Sequence, residues 1–414
     1  MNYLNRFASW LGLSAAEGRS PADPRWWGDQ AVIAMSGAVV TPDRVQQLGA
    51  VQAVLASLQG SMEQLPVMVF RRGKDESRVP VREHPLAQLL AVKPNARQSA
   101  AEFWGEITRH LAFYRNAYCR IRQGEEYAVG ALEPIHPTNI TNVELRNDGR
   151  TYYTVARGTG QEVLRDDMIW HIRRGPLTID GLRGEPVYNS AREVFGRALA
   201  VSDYSNLWFR NSGATGGVIK HPGTFKTKED RQDFLDAWRE SGSGANRHKD
   251  RLLTHGVDYV ATKVTNVEAQ LQQLEQAADI DVFGLWTFPP HRAARLEGAT
   301  FSNIEQQSID YVVHTLGPYP VAFEQAAERD LLLGEGAEEL FIEFNVAGLL
   351  RGDIASRYNA YAIGRQWGWL SVNDIRKFEN MNPVEGGSAY LQPLNMAPAG
   401  STPDDKTDTN KPGA

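Results

Sequence analysis

Cysteine is nearly absent: Cys119 is the one thiol in 414 residues. No disulfide can form within the chain, and the composition suits a reducing compartment. Cys119 sits between Tyr118 and Arg120 in an apparent strand, which predicts a buried thiol rather than a nucleophile. Long apolar runs are missing too. Nothing approaches the ~18 uninterrupted apolar residues of a membrane helix, and no membrane partner is expected. Positive charge is not in excess: 44 Lys and Arg face 50 Asp and Glu, a net charge of -6. That excludes a tight, salt-sensitive nucleic-acid binder, though not a protein that handles DNA loosely. Residues 1–13 lack a basic segment leading into an apolar run and a small-residue cleavage site, so no signal peptide is expected. Leu4, Phe7 and Leu11 make a short amphipathic stripe suited to docking on protein.

The chemical motifs are missing as well. There is no Gly-x4-Gly-Lys-Ser/Thr loop to cradle phosphate. Gly213-Ala214-Thr215-Gly216-Gly217 lacks the Lys-Ser/Thr pair, and Arg157-Gly158-Thr159-Gly160 is a simple turn. There is no His-Glu-x-x-His and no Cys/His cluster; His248 and His255 are close but have no third ligand nearby. No nucleophile elbow appears. Asp166-Asp167 and Asp279/Asp281 read as solvated faces or caps. The expectation is a protein without catalysis and without a cofactor.

What remains is an ordered series of helices and strands. Residues 14–45, with Pro21, Pro24 and Pro42, read as part of an extended N-terminal arm. Val51, Val54, Leu55, Leu58, Met62 and Leu65 fall at helical spacing, and Pro66 ends that helix before the strand residues Val67 and Val69. Ser99 and Glu102 form a capping box for a helix reaching about Phe113. Between 117 and 172 the period changes to that of strands, with Asn147-Asp148-Gly149 as a hairpin signal. A long helix spans 189–212. A small α/β insert follows at 213–265, with Thr227 and Asp230 capping its helix, and a second long helix spans 266–286. Two struts carrying a tip are the natural geometry. Phe288-Pro289-Pro290 then stops the helix, and His291, Arg292 and Arg295 lie on a loop running to residue 301. Ser302 caps a helix predicted to kink at Pro318 and Pro320 and to run to Leu333. Leu340, Ile342 and Phe344 alternate with acids as a half-buried strand. A helical hairpin follows, in which Asp353 and Arg357 share a face and Ser371 and Asp374 form a capping box. From Ala397 the Pro, Gly, Ser, Thr and Asp content predicts disorder.

The order of short motifs resembles the portal proteins of long-tailed phages and of phage-like gene transfer agents. The likeness runs from about Val51 to Leu394. It begins with Leu65-Pro66-Val67-Met68-Val69-Phe70-Arg71, His84-Pro85-Leu86 and Lys93-Pro94-Asn95. It continues through Glu102-Phe103-Trp104, Asn116-Ala117-Tyr118, Asp180-Gly181-Leu182-Arg183-Gly184 and Phe209-Arg210-Asn211-Ser212-Gly213-Ala214. Pro289-Pro290, Ser302-Asn303-Ile304-Glu305-Gln306, Leu350-Arg351-Gly352-Asp353, Asn373-Asp374-Ile375-Arg376 and Gly386-Gly387 complete it. Three positions depart from the pattern. Arg115 stands where a glycine usually precedes Asn-Ala-Tyr, Glu185 replaces the usual serine before Pro186, and Ser388 follows Gly386-Gly387 where an acid is common.

The resemblance implies an elongated α+β subunit with wing, two-helix stem, small α/β clip and helical crown, assembled as a ring usually of twelve copies at one capsid vertex. Mapped onto this chain, 1–50 is an arm, 51–188 wing, 189–212 and 266–287 the stem helices, and 213–265 the clip. Residues 288–301 form a tunnel loop, 302–344 the kinked helix and a wing strand, 345–394 the crown, and 395–414 a disordered tail. The implied partners are other copies of the chain, the major capsid protein, a head-tail adaptor, the packaging terminase, and double-stranded DNA without sequence preference. The setting would be a virion or phage-like particle, assembled in the bacterial cytoplasm. On the tunnel loop, His291, Arg292 and Arg295 would touch phosphates; inter-subunit salt bridges or plain solvation are the alternative for the arginines. On the stem, Glu268, Glu275 and Asp279 would either face the bore or pair with a neighbour's cations. On the clip, Arg247, His248 and Lys249 would dock adaptor or terminase. A protein-only vertex adaptor that never lines DNA is the competing reading.

Overall fold

The computed structural model describes residues 32–391 apart from 74–76, 125–128, 159, 211–216, 241–255, 262–266, 296–307, 333–336, 347–348, 350–353 and 380. The chain divides into two units, residues 1–346 and 347–414.

The first unit opens with β1 (Val32–Ile33) and β2 (Val39–Val40), a hairpin, followed by α1 (Pro42–Gln46). This stretch is folded rather than part of an extended arm. Val40 and Val45 are fully buried, the Met35 amide donates to Glu193 at 3.0 Å, and Arg44 pairs with Asp203 at 2.7 Å. Then come α2 (Gly49–Met62), β3 (Val67–Arg72), β4 (Arg78–Pro80), α3 (Pro85–Ala91) and α4 (Ala100–Tyr114). Six strands follow: β5 (Asn116–Gln123), β6 (Val129–Ile135), β7 (Ile140–Leu145), β8 (Thr151–Arg157), β9 (Gly160–Arg165) and β10 (Ile169–Arg173). After the short α5 (Val187–Ser190) come α6 (Arg192–Arg210), β11 (Gly217–Lys220), α7 (Lys228–Glu240), β12 (Asp258–Ala261) and α8 (Val267–Gly284). The unit closes with α9 (Pro318–Asp330) and β13 (Leu340–Phe344).

All pairings are antiparallel, in sheets ordered β10-β5-β6, β13-β3-β4, β7-β8-β9 and β11-β12. The centre is aromatic. Trp104 meets Phe344 edge-on at 4.7 Å, Phe323 at 5.4 Å and Trp170 at 6.2 Å, and its indole N–H donates to the Leu90 carbonyl. Thus α4, α9, β10 and β13 are locked to one side chain. The capping box of α4 is formed as the spacing predicts, with Ser99 and Glu102 satisfying each other's backbone N–H. The Gly149 turn joins β7 to β8 with φ +76°. Cys119 is fully buried in β5, and burial pushes its thiol pKa well up.

Two features differ from the sequence reading. At Pro318 and Pro320 the helical path changes type. A π-helical turn, Tyr311–Leu316, comes first, and both prolines then fall in the opening turn of α9, where no intrahelical donor is lost. At Arg115 the backbone is left-handed, φ 55°, at the end of α4. This is where the family pattern has glycine, and the geometry supplies the reason. Arginine accepts the strain here while its guanidinium donates to the Glu185 carbonyl at 3.1 Å and to Ser190 at 3.0 Å.

The second unit is built on α10 (Ile354–Gln366) and α11 (Val372–Phe378). Ser371 and Asp374 form the expected capping box. Gly368, φ +78°, ends α10: its N–H reaches the Arg365 carbonyl and that of Trp369 reaches the Gly364 carbonyl, a Schellman closure. Asp353 lies outside the described residues. Arg357 pairs with Glu379, just past the end of α11, at 2.8 Å. A methyl group on Gly368 would meet the Leu391 carbonyl at 2.0 Å. Gly368→Ala is therefore expected to destabilise this unit by at least about 1 kcal/mol. Hydrogen exchange should speed up across 354–391 and stay unchanged in α2 and α4; unchanged exchange in α10 would refute the clash.

Candidate functional site

The two long helices α6 and α8 pack on each other; Ala198 and Leu199 on the first and Leu271, Val282 and Phe283 on the second are buried. Between them in sequence lie β11, α7 and β12, the antiparallel hairpin and helix of the insert. Thr227 and Asp230 cap α7 reciprocally, at 3.2 and 3.1 Å. Apolar residues remain uncovered on both long helices: Leu207, Tyr204, Leu274 and Ile280 are 46% to 57% exposed. So the apolar surface of both helices is only partly covered by the described residues of this chain. No helix among the described residues is long and apolar enough to cross a membrane.

The end of α8 is anchored before the chain reaches its prolines. The helix stops at Gly284. The Trp286 indole then donates to the Ala112 carbonyl at 3.0 Å, and Thr287 takes a left-handed backbone, φ 52°. That conformation is costly for a β-branched residue, and Thr315 secures it by donating its hydroxyl to the Thr287 carbonyl. One 3₁₀ turn, Pro290–Ala293, follows, and Ala294 is again left-handed at φ 58°.

This turn carries His291 and Arg292, with Arg295 just beyond. The Arg292 guanidinium lies 3.9 Å from the centre of the Tyr311 ring and donates to the Ser57 hydroxyl at 3.1 Å. Tyr311 donates in turn to the Ser57 carbonyl at 3.0 Å and shares a 2.8 Å hydrogen bond with the Ser61 hydroxyl. Arg295 pairs with Asp279, and Glu275 accepts from the Ser205 hydroxyl. Asp279 thus has an arginine of its own chain as partner, which the sequence reading did not consider. Glu275, Asp279 and Arg295 line a hollow of about 480 Å³ together with small residues such as Gly49, Ala53, Ala198 and Ala278. The Glu268 side chain and Arg247, His248 and Lys249 lie outside the described residues. Ser57, Tyr311 and Thr287 carried no signal in sequence; the first two are 254 positions apart.

A second polar cluster lies inside the strand region. His171 is 4% exposed and sits between Asn116, 3.0 Å from Nε2, and the Tyr153 hydroxyl, 3.1 Å from Nδ1. Asn116 also donates to the Tyr114 and Gly184 carbonyls and accepts from the Gly184 N–H. Burial holds the His171 pKa well below its ordinary value. Burial also brings His110, on α4, down to about 3, with the nearby charge of His136 adding to it. Burial thus favours the neutral form of both imidazoles. Among the described residues, no three His, Cys, Asp or Glu side chains are grouped to hold a metal ion.

The comparisons with known proteins agree with this architecture. The model of the family described as phage portal protein matches residues 49–380. The portal protein of Enterobacteria phage HK97 is 26% identical over 87% of this chain and 84% of its own. The probable portal protein of Streptomyces phage phiC31 is 28% identical over 95% and 88%. Among solved structures, an HK97 family phage portal protein from Corynebacterium diphtheriae superposes with a TM-score of 0.56 at 14% identity, covering 76% of this chain and 99% of the other. A chain of the virion of a native gene transfer agent particle gives 0.57 at 17%, covering 86% and 96%. A chain from the neck of such a particle, computed with C12 symmetry, gives 0.54 at 16%, covering 81% and 91%. A match over 49–380 takes in both long helices, the insert between them, the anchored turn and the first helices of the second unit, so the chain belongs to the phage portal protein family.

Proposed function

We propose that the chain acts as one subunit of a ring, of twelve copies by family habit, seated at a single capsid vertex, with DNA packaged and ejected along its axis. The match to the portal family over 49–380 carries this reading. The uncovered apolar residues of α6 and α8 support it, since a cyclic ring of heterologous contacts would cover them with neighbouring copies. In this reading α6 and α8 are the stem, 213–265 is the clip, 288–301 the tunnel loop and 345–394 the crown. The clip, with Arg247, His248 and Lys249, receives the packaging terminase and later the head-tail adaptor, and the wing meets the major capsid protein. Native mass measurement and negative-stain imaging at near-physiological salt should find closed rings with an axial hole. A stable monomer at micromolar concentration, with no rings in particles, would overturn the reading.

The tunnel-loop cations are proposed to touch passing phosphates briefly. Arg292 lies over a ring and Arg295 beside a carboxylate, both held at the loop base, and the Arg295 side chain is 48% exposed. A few such contacts would be weak, salt-sensitive and indifferent to sequence. Replacing both arginines by alanine is expected to lower packaged or retained DNA while rings still assemble. Parental DNA content in that double variant would make the two pairs purely structural.

A further inference from the structure

The hollow of about 480 Å³ beside the loop base is a gap left by small side chains. Gly49, Ala50 and Ala53 line it from α2, Ala198 from α6, Ala278 from α8 and Ala294 from the turn after α8. Protein interiors are close-packed, and helices that converge on residues this small leave room for side chains from elsewhere. Its polar side is acidic. Asp279 already has Arg295, whereas Glu275 accepts from the Ser205 hydroxyl and no cation pairs with it among the described residues.

The description of the chain begins at Val32, close to this hollow. Val32 pairs with Val40, about 5 Å away across the hairpin. From Val40 the chain runs through Thr41 and α1 to Gln47, which lines the hollow, a path of at most about 14 Å. The sequence ahead of Val32 reads Arg25-Trp26-Trp27-Gly28-Asp29-Gln30-Ala31. Five or six residues of extended chain span about 17–20 Å, so both tryptophans are within reach of the hollow. They are the first large apolar side chains upstream of Val32. Walls of glycine and alanine accept flat rings, and a buried indole N–H needs an acceptor, which Glu275 and Asp279 supply. Arg25 brings the cation that Glu275 lacks. The family match begins at residue 49, so this segment lies ahead of the shared pattern.

We propose that Arg25-Trp26-Trp27 docks in the hollow of its own chain, the indoles among the alanines and the guanidinium on Glu275, and so buttresses the base of the loop that carries Arg295. Ala53→Cys in the full-length chain puts a reporter thiol in the hollow, while the native Cys119 is buried. Its maleimide labelling is expected to be at least about tenfold faster when Trp26 and Trp27 are both replaced by alanine than when both are present. Equal rates overturn the proposal: fast in both means the hollow stands open, and slow in both means something else fills it. A second measurement keeps the indoles. Asp29→Cys with Ala53→Cys, treated with a short bis-maleimide, should give a joined pair of peptides in a chain that still migrates as a monomer under denaturing conditions. Covalent multimers would assign the hollow to the segment of a neighbouring copy, and absence of any cross-link would leave the two cysteines apart; either result overturns the proposal.

Discussion

Acidifying the protein from pH 7 to pH 5 is expected to remove about 2 kcal/mol of folding stability through the buried His110, and more through the buried His171. In the unfolded chain the imidazoles of His110 and His171 titrate near 6.5. In the fold His110 lies at about 3 and His171 is well below its ordinary value, both because burial disfavours the cation. Between those limits the unfolded chain binds protons that the folded chain does not. Stability is therefore complete above the unfolded pKa and falls as the pH drops below it. Urea midpoints of the first unit at pH 7, 6 and 5 measure the slope. His110→Leu should remove the His110 share of that slope, because a leucine takes up no proton when the chain unfolds. A slope absent in the parent would show that neither imidazole needs to charge when the chain unfolds, and a slope unchanged in the variant would show it for His110.

Asn116→Ala is expected to cost at least about 3 kcal/mol, since it strands several buried partners at once. The Gly184 N–H and carbonyl, the Tyr114 carbonyl and His171 Nε2 all lose their bond to one 4% exposed side chain. Asn116→Asp makes a sharper comparison. It removes the two donors, so it too should be destabilised at pH 7. But a carboxylate beside His171 favours the imidazolium, so this variant should lose less than the parent on acidification. Equal losses in the two proteins would mean that Asn116 does not set the charge state of His171.

How much of this was legible in sequence depends on range. Ser99 with Glu102, Thr227 with Asp230 and Ser371 with Asp374 were readable because a capping box closes within four residues. The two long helices and the insert were readable from periodicity. The 32–46 stretch was not: three prolines in 14–45 pointed to an extended arm, whereas tertiary contact with Glu193 and Asp203 folds it onto α6. Nor was the environment of the loop cations. Nothing local ties Arg292 to Ser57 and Tyr311, or Arg295 to Asp279; these pairs exist because α2, α8 and the π-helical turn converge. The left-handed Arg115 was marked only as a departure from the family pattern, and the backbone explains that pattern. In each case the missing information was a contact between residues far apart in the chain, which propensity does not carry.

The register of β13 on β3 has a further consequence, for synthesis. Leu340 faces Arg71 and Phe344 faces Val67, strands about 270 residues apart. A ribosome that has released everything up to β12 has still not supplied the strand that completes this sheet, nor Phe344 against Trp104. Closing so large a loop comes late and is slow. Completion of this sheet, and of the aromatic centre it borders, therefore waits for the last strand of the first unit.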